Sequence, residues 1–245
     1  MSVKRCQGCY RQSFVSGSRV FHMKTVRVFV GTDRSQLLGA KVLAYSIKRR
    51  SSLPVEVTPM LNVRVRPPRD PNQDQRTGFS FARFCIPQLA GYQGRAIYMD
   101  ADMLVMKDIA ELWNLPFEGS KVLIQEELQE HQAETHNKKS APVRRIKQCS
   151  VMLLDCENLA WRIEEIIQGL DERKYTYDDL MYHLCILPDS EVHARIPFRW
   201  NSLEHFDSTT CLIHYTDMRT QPWVYPLNPH AAIWIEEVRQ MLADG

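Results

Sequence analysis

Several large protein classes are excluded by what this sequence lacks. No apolar run approaches the roughly 18 residues that a membrane-spanning helix requires, and no apolar stretch near the N-terminus forms the core of an export signal. Charge of one sign is missing too: 31 Lys and Arg face 29 Asp and Glu, for a formal net charge of +2. Such a balance does not call for nucleic acid, so any phosphate must be met by a local site. The seven cysteines are odd in number and scattered, which argues against a disulfide framework and for a reducing, cytoplasmic compartment. There are no internal repeats, no low-complexity tracts and no polybasic amphipathic helix that would mark a lipid surface. What is present is a chain of 245 residues with 44% apolar content, long enough to bury a full core as one domain.

Residues 1–24 are basic, mixed and aperiodic, and read as a loosely packed extension ahead of a domain spanning 25–245. Cys6, Cys9 and His22 match three ligands of a two-Cys, two-His zinc finger, but no fourth ligand follows His22. From residue 25 the pattern alternates. TVRVFVG (25–31) is strand-like, LLGAKVLAYSIKRR (37–50) has helical spacing, and VEVTPM (55–60) is strand-like again, which predicts a βαβ opening with parallel strands. A polar, proline-rich loop (64–78) follows, then a helix over 79–91 closed by Gly91 and a buried strand at 95–99. Further strands are expected at 121–125, 151–155 and 210–215, with helices at 157–170, 178–187 and 230–242. The fold class is α/β, with a Rossmann-like, mostly parallel central sheet flanked by helices.

Ligands of open α/β sheets bind beyond the carboxyl ends of the strands. Asp33, Asp100, Glu126 and His214 all fall at or just after such an end. Asp100 and Asp102 in IYMDADMLV stand two residues apart after a buried strand, where both carboxylates can point into one space and hold a hard divalent cation. His214, in LIHYTDMRTQPW, supplies a nitrogen suited to manganese and makes a third ligand. The five tryptophans read mainly as core, with Trp200 in RWNSLEHF the exception that invites sugar stacking. Lys138, Lys139, Arg144, Arg145 and Lys147 read as a solvated loop, with an acceptor-facing lid as the minor alternative.

These segments, in order, carry a resemblance. GTDRSQLLGAKVLAYSI, FARFCIPQLAGYQGRAIYMDADMLVMKDIAELW, VMLLDCENLAWR, IPFRWNSLEHF and IHYTDMRTQPW resemble successive blocks of the family 8 glycosyltransferases, the group of glycogenin and bacterial lipopolysaccharide galactosyltransferases. The resemblance runs from about Thr25 to Trp223 and implies a single GT-A type domain that moves a hexose from a UDP-sugar with retention of configuration, using Mn2+ or Mg2+.

Carried over residue by residue, the resemblance makes Asp100, Asp102 and His214 the metal ligands. Thr32 and Asp33 match the loop around the uracil, Arg83 the arginine facing the nucleotide, and Ala101 lies with Asp100 against the donor. Glu126 stands at the acidic position near the donor sugar. The chain departs elsewhere. The family's Asn-Ser-Gly reads Gln148, Cys149, Ser150, its Asp-Gln pair matches Asp178 and Asp179, and the lysine of its terminal Lys-Pro-Trp is Gln221, with Arg219 available to supply the missing charge. Retention by double displacement would need a carboxylate nucleophile, for which Asp178 is the candidate; front-face attack assisted by the departing phosphate is the alternative. The acceptor is a soluble glycan, a protein or a lipid-linked precursor, the last placing the protein at the inner face of a membrane. Two rivals share parts of the pattern: a non-catalytic nucleotide-sugar binder of the same fold, and a haloacid dehalogenase-type phosphatase, whose DxD wants Thr or Val where this chain has Leu104.

Overall fold

The computed structural model describes residues 25–125 and 149–245. Cys6, Cys9, His22, Glu126, Gln148 and the basic run 138–147 lie outside the described residues. Nine strands form two sheets among those residues. β1 (Val26–Gly31), β2 (Val55–Pro59), β3 (Arg95–Asp100), β5 (Val122–Gln125), β6 (Val151–Asp155) and β7 (Val192–Ile196) make the larger, in the order β2-β1-β3-β6-β5-β7. Only β6 runs antiparallel to its neighbours β3 and β5; the other pairings are parallel. β4 (Met103–Val105), β9 (Leu212–His214) and β8 (Ser202–Leu203) make the smaller sheet in that order.

The strands of the large sheet alternate in residue and in face, and both faces are buried. Val26, Val28, Val30, Ile97, Met99, Val151 and Leu153 look toward one layer; Phe29, Ala96, Tyr98, Met152 and Leu154 look toward the other. The first layer is completed by α1 (Leu37–Arg50), whose buried Gly39, Ala40, Val42, Leu43, Ser46 and Ile47 recur at the helical period. The second is completed by Phe81, Phe84, Ile86, α4 (Ile163–Asp171) and α5 (Tyr177–His183). A third cluster, Val42, Leu104, Ile213, Tyr215 and Trp234, packs the small sheet between α1 and the closing helix α6 (Ala231–Asp244).

Three sequence expectations need correction. The helix expected over 79–91 is a 3-10 turn, Ala82–Cys85, followed by one α-turn, α2 (Ile86–Leu89). Pro87 explains the break, since it lacks the N–H that would continue the helical bonding from the 3-10 turn into α2. Gly91 does end the segment, with φ of +66°. The helix expected from residue 157 begins only at Ile163. The strand expected at 210–215 is three residues long and belongs to the small sheet, so His214 reaches the site from outside the central sheet. The short elements β4, β8 and α3 (Ala110–Trp113) had no periodic signal to betray them.

Candidate metal and nucleotide site

The chain leaves β3 at Asp100, turns through Ala101 and Asp102, and re-enters as β4 in the other sheet. Both sides of this corner are pinned. Asp100 N donates to Ser150 O (3.1 Å) and Asp102 O accepts from Tyr215 N (2.8 Å). Val105 N donates to the buried Ser46 Oγ (3.1 Å), tying β4 to α1. At Gly39 a Cβ would stand 2.9 Å from Ala101 O, so helix and corner approach as closely as only glycine allows. Asp100 and Asp102 are thereby held as neighbours on a rigid bend, and β9, antiparallel to β4, sets His214 opposite Met103.

Ligand atoms of Asp100, Asp102 and His214 all lie within 4.8 Å of one another. His214 Nε2 is 3.2 Å from Asp102 Oδ1, a buried oxygen that accepts no well-aligned hydrogen bond among the described residues. Asp102 Oδ2 accepts from Gln221 Nε2 (3.1 Å), which also donates to Tyr215 O (3.1 Å). Asp100 Oδ1 accepts from the Tyr98 hydroxyl and takes one long contact, 3.4 Å, from Arg83 Nη2. Arg83 spends its other donors on Ser80 O (3.0 Å) and Cys149 O (2.7 Å), and its guanidinium stacks 4.6 Å from the Tyr98 ring centre.

The electrostatics follow from that crowding. Burial raises the Asp100 carboxyl above its ordinary range; Arg83 opposes the rise, and Asp102 adds to it. Burial works against a charged His214, but Asp102, Asp100 and Glu204 outweigh it, so its proton is held more tightly than that of a free imidazole. Two carboxylates and one imidazole, close together and with one buried oxygen unserved, form a donor set short of a cation. These residues fit a divalent ion with mixed oxygen and nitrogen ligands; Mn2+ and Mg2+ both meet that description, and the nitrogen favours Mn2+.

The other sequence-derived residues divide into two groups. Thr32 is buried, and the Asp33 carboxylate caps the start of α1 through Ser35 N (2.8 Å), Ser35 Oγ (2.6 Å) and Gln36 N (3.2 Å). Both follow β1, next to β3 in the sheet. Ala101 is buried in the corner itself, and Gln221 is bound to Asp102. In the second group, Asp178 on α5 is paired with Arg76 at 2.7 Å, and Arg76 also lies over the Tyr177 ring. Asp179 forms a capping box with Thr176, accepting from its N (2.9 Å) and Oγ1 (2.7 Å), which holds its carboxyl below the usual range. That role was legible as Thr176 followed three residues later by an acid. The Arg219 side chain is 81% exposed, and its Nε lies 3.8 Å from Asp217 Oδ1. Trp200, fully buried beside Ile196 and Leu212, is a core residue, and the sugar-stacking expectation for it is withdrawn.

Sequence reasoning missed one member of the site. Asn201, completely buried after β7, accepts at Oδ1 from His214 Nδ1 (2.9 Å) and donates from Nδ2 to Gln125 Oε1 and to Ser150 Oγ (3.0 Å). Asn201 lies inside the IPFRWNSLEHF block, but nothing in that block points to a contact with His214, so its role emerges only from the fold.

Comparison with known proteins agrees with this geometry. The profile "Glycosyl transferase family 8" matches residues 46–225. "Protein CDI" of Arabidopsis thaliana is 30% identical over 240 residues, covering 89% of this chain and 87% of its own length. Among solved structures, the galactosyltransferase LgtC, in complex with donor and acceptor sugar analogs, superposes with a TM-score of 0.58 at 13% identity, over 88% of this chain and 96% of that one. The bifunctional glycosyltransferase WbbM gives 0.55 at 15% identity over 89% of this chain; the present chain spans only 52% of WbbM's length. At such identities these structures share a fold with this chain, a mixed α/β sheet of GT-A type.

Proposed function

The chain belongs to glycosyl transferase family 8, and from that premise we propose that it is a metal-dependent retaining glycosyltransferase that moves a hexose from a UDP-sugar to a glycan, protein or lipid-linked acceptor. The observation that carries the proposal is the Asp100–Asp102–His214 cluster with its unserved buried oxygen, set where β3 ends. A divalent cation held there supplies the charge that makes a diphosphate a competent leaving group. The chain's own residues supply the rest. Asp100 and Asp102 serve as ligands and not as acid or base, because a carboxylate beside a cation stays ionised. Gln221 holds Asp102 by one oxygen and leaves the other directed at the cluster. Arg83, anchored by two carbonyls, offers a fixed positive charge beside Asp100 to the nucleotide.

In this reading Thr32, Asp33 and Ala101 receive the nucleotide, and the family resemblance assigns Glu126, Gln148, Asp178 and Asp179 to the donor sugar. Asp178 is the nucleophile if the reaction is a double displacement. With Gln221 committed to Asp102 and Arg219 exposed, the diphosphate meets its cations in the metal and Arg83, and Arg219 joins them only by folding in over the donor. Family membership sets the phosphatase alternative aside. The non-catalytic nucleotide-sugar binder remains the second reading, favoured by the neutral amide at 221. Among the described residues no helix is long and apolar enough to cross a membrane.

The test is a donor screen: UDP-glucose, UDP-galactose, UDP-xylose and related donors, each with manganese, reading UDP release. Slow release with one preferred donor, abolished by chelator, is the expected result. Tight calorimetric binding of UDP-sugars without any release would establish the non-catalytic reading instead, and absence of both would overturn the proposal.

A further inference from the structure

The imidazole of His214 is engaged at both nitrogens, and its two neighbours make opposite demands. On one side Asp102 Oδ1, 3.2 Å from Nε2, accepts no well-aligned hydrogen bond among the described residues. On the other, Asn201 Oδ1 lies 2.9 Å from Nδ1. Asn201 has a single acceptor oxygen and a single donor nitrogen, and the nitrogen is spent on Gln125 Oε1 and Ser150 Oγ. What faces the ring is therefore an acceptor, so Nδ1 carries the hydrogen. A neutral imidazole then presents Nε2 as a bare lone pair beside the bare lone pair of Asp102 Oδ1, a repulsion that a divalent cation between them, or a second proton on the ring, relieves.

We infer that Asn201 is a positioning residue of this site: by accepting from Nδ1–H it fixes the tautomer of His214 that leaves Nε2 open to a divalent metal. The inference rests on the metal-site reading above and deepens it. Without the Asn201 acceptor, His214 is free to move its hydrogen to Nε2 and donate it to Asp102, which closes both ligands on each other and shuts the metal out. Partners that orient a metal-bound imidazole in this way are typically worth about 10–100-fold in metal affinity.

Gln125 makes the inference testable by rescue. Its Nε2 is buried with no partner among the described residues. Reversing that amide would give a carboxylate at position 201 a donor, so Asn201→Asp can still accept from His214, whereas Asn201→Leu cannot.

Two measurements decide the matter. Calorimetric titration with Mn2+ alone is expected to give Asn201→Leu roughly 10–100-fold weaker binding than the wild type, and Asn201→Asp binding within about threefold of it. Long-range proton–nitrogen spectra of the metal-free wild-type protein, at a pH that keeps His214 neutral and with its signals assigned through His214→Gln, are expected to show hydrogen on Nδ1. Hydrogen on Nε2 overturns the inference even if Asn201→Leu fails to fold. A wild-type protein that binds Mn2+ while Asn201→Leu binds it equally well overturns the positioning role alone. A wild-type protein with Nδ1–H that takes up no Mn2+ overturns the metal reading, and with it the purpose assigned to Asn201.

Discussion

Two buried arginine–carboxylate pairs stand on opposite sides of α1, and they are built differently. At the back, Glu237 of α6 is gripped by Arg50 through two parallel bonds of 2.6 Å, with Arg49 adding a third contact at 3.5 Å. Every carboxylate oxygen is used, and the pair fastens the closing helix to α1. At the front, Arg83 reaches Asp100 by one contact of 3.4 Å and gives two further donors to backbone carbonyls. A closed fork satisfies its own charges and holds elements together. A pair left long and one-sided keeps its charge for something else, and in this chain it stands beside an oxygen that accepts no well-aligned hydrogen bond among the described residues.

Mirror-image substitutions test that contrast. Asp100→Asn is expected to lower turnover by about a thousandfold, ~4 kcal/mol of transition-state stabilisation, with little change in the thermal midpoint. Glu237→Gln should do the reverse, removing about 3 kcal/mol of folding stability by leaving Arg50 half-paired while turnover stays within about twofold. Denaturant unfolding and UDP release on the same two variants settle both; a large stability loss in Asp100→Asn would make the front pair as structural as the back one. Next in size is Arg83→Lys, which keeps the charge but cannot bridge Ser80, Cys149 and Asp100 together; kcat/KM should fall about tenfold, ~1.4 kcal/mol.

The smallest effect is on pH dependence. Asp100 and His214 both have raised pKa values in the metal-free fold, so the folded state favours the protonated form of each. For such groups the stability contribution is present below the unfolded pKa and lost as pH rises through the folded one. The thermal midpoint in chelator should therefore decline from about pH 6.5 upward, the range where His214 gives up its proton. Saturating manganese needs both groups deprotonated, so it should flatten or invert that decline. Parallel profiles with and without the ion would mean that neither group touches it.

How much of this was legible beforehand depended on the length of the signal. β1, α1 and β2 agree with the sequence reading to within a residue, because a β-branched run and a fourteen-residue apolar period leave little choice. The Asp100–Asp102–His214 juxtaposition was legible as well: two aspartates after a buried strand need no long-range information, and His214 could be matched to them. The back clasp was not, since Arg50 and Glu237 are ordinary charges on two helices until the fold brings them together. Asn201 escaped for the same reason. Trp200 misled, a suspected sugar platform that fills the core, while the helix-capping role of Asp179 went unread beside its suggested donor contact.

The order in which the chain is made gives the two-sheet corner a further consequence. Asp102 leads into β4, whose partner β9 is translated more than a hundred residues later, and β3 gains its antiparallel neighbour β6 only after residues 151–155 appear. A chain emerging from the ribosome thus carries both aspartates for a long interval before the histidine that completes the cluster. During that interval β3 has an open, apolar edge, the kind of surface that pairs with other chains. Completion of the ion-holding corner and burial of that edge both wait on late segments, and such distant pairings are slow to form. On the proposed metal reading, the cluster can take up an ion only after synthesis has passed His214, long after both aspartates have emerged.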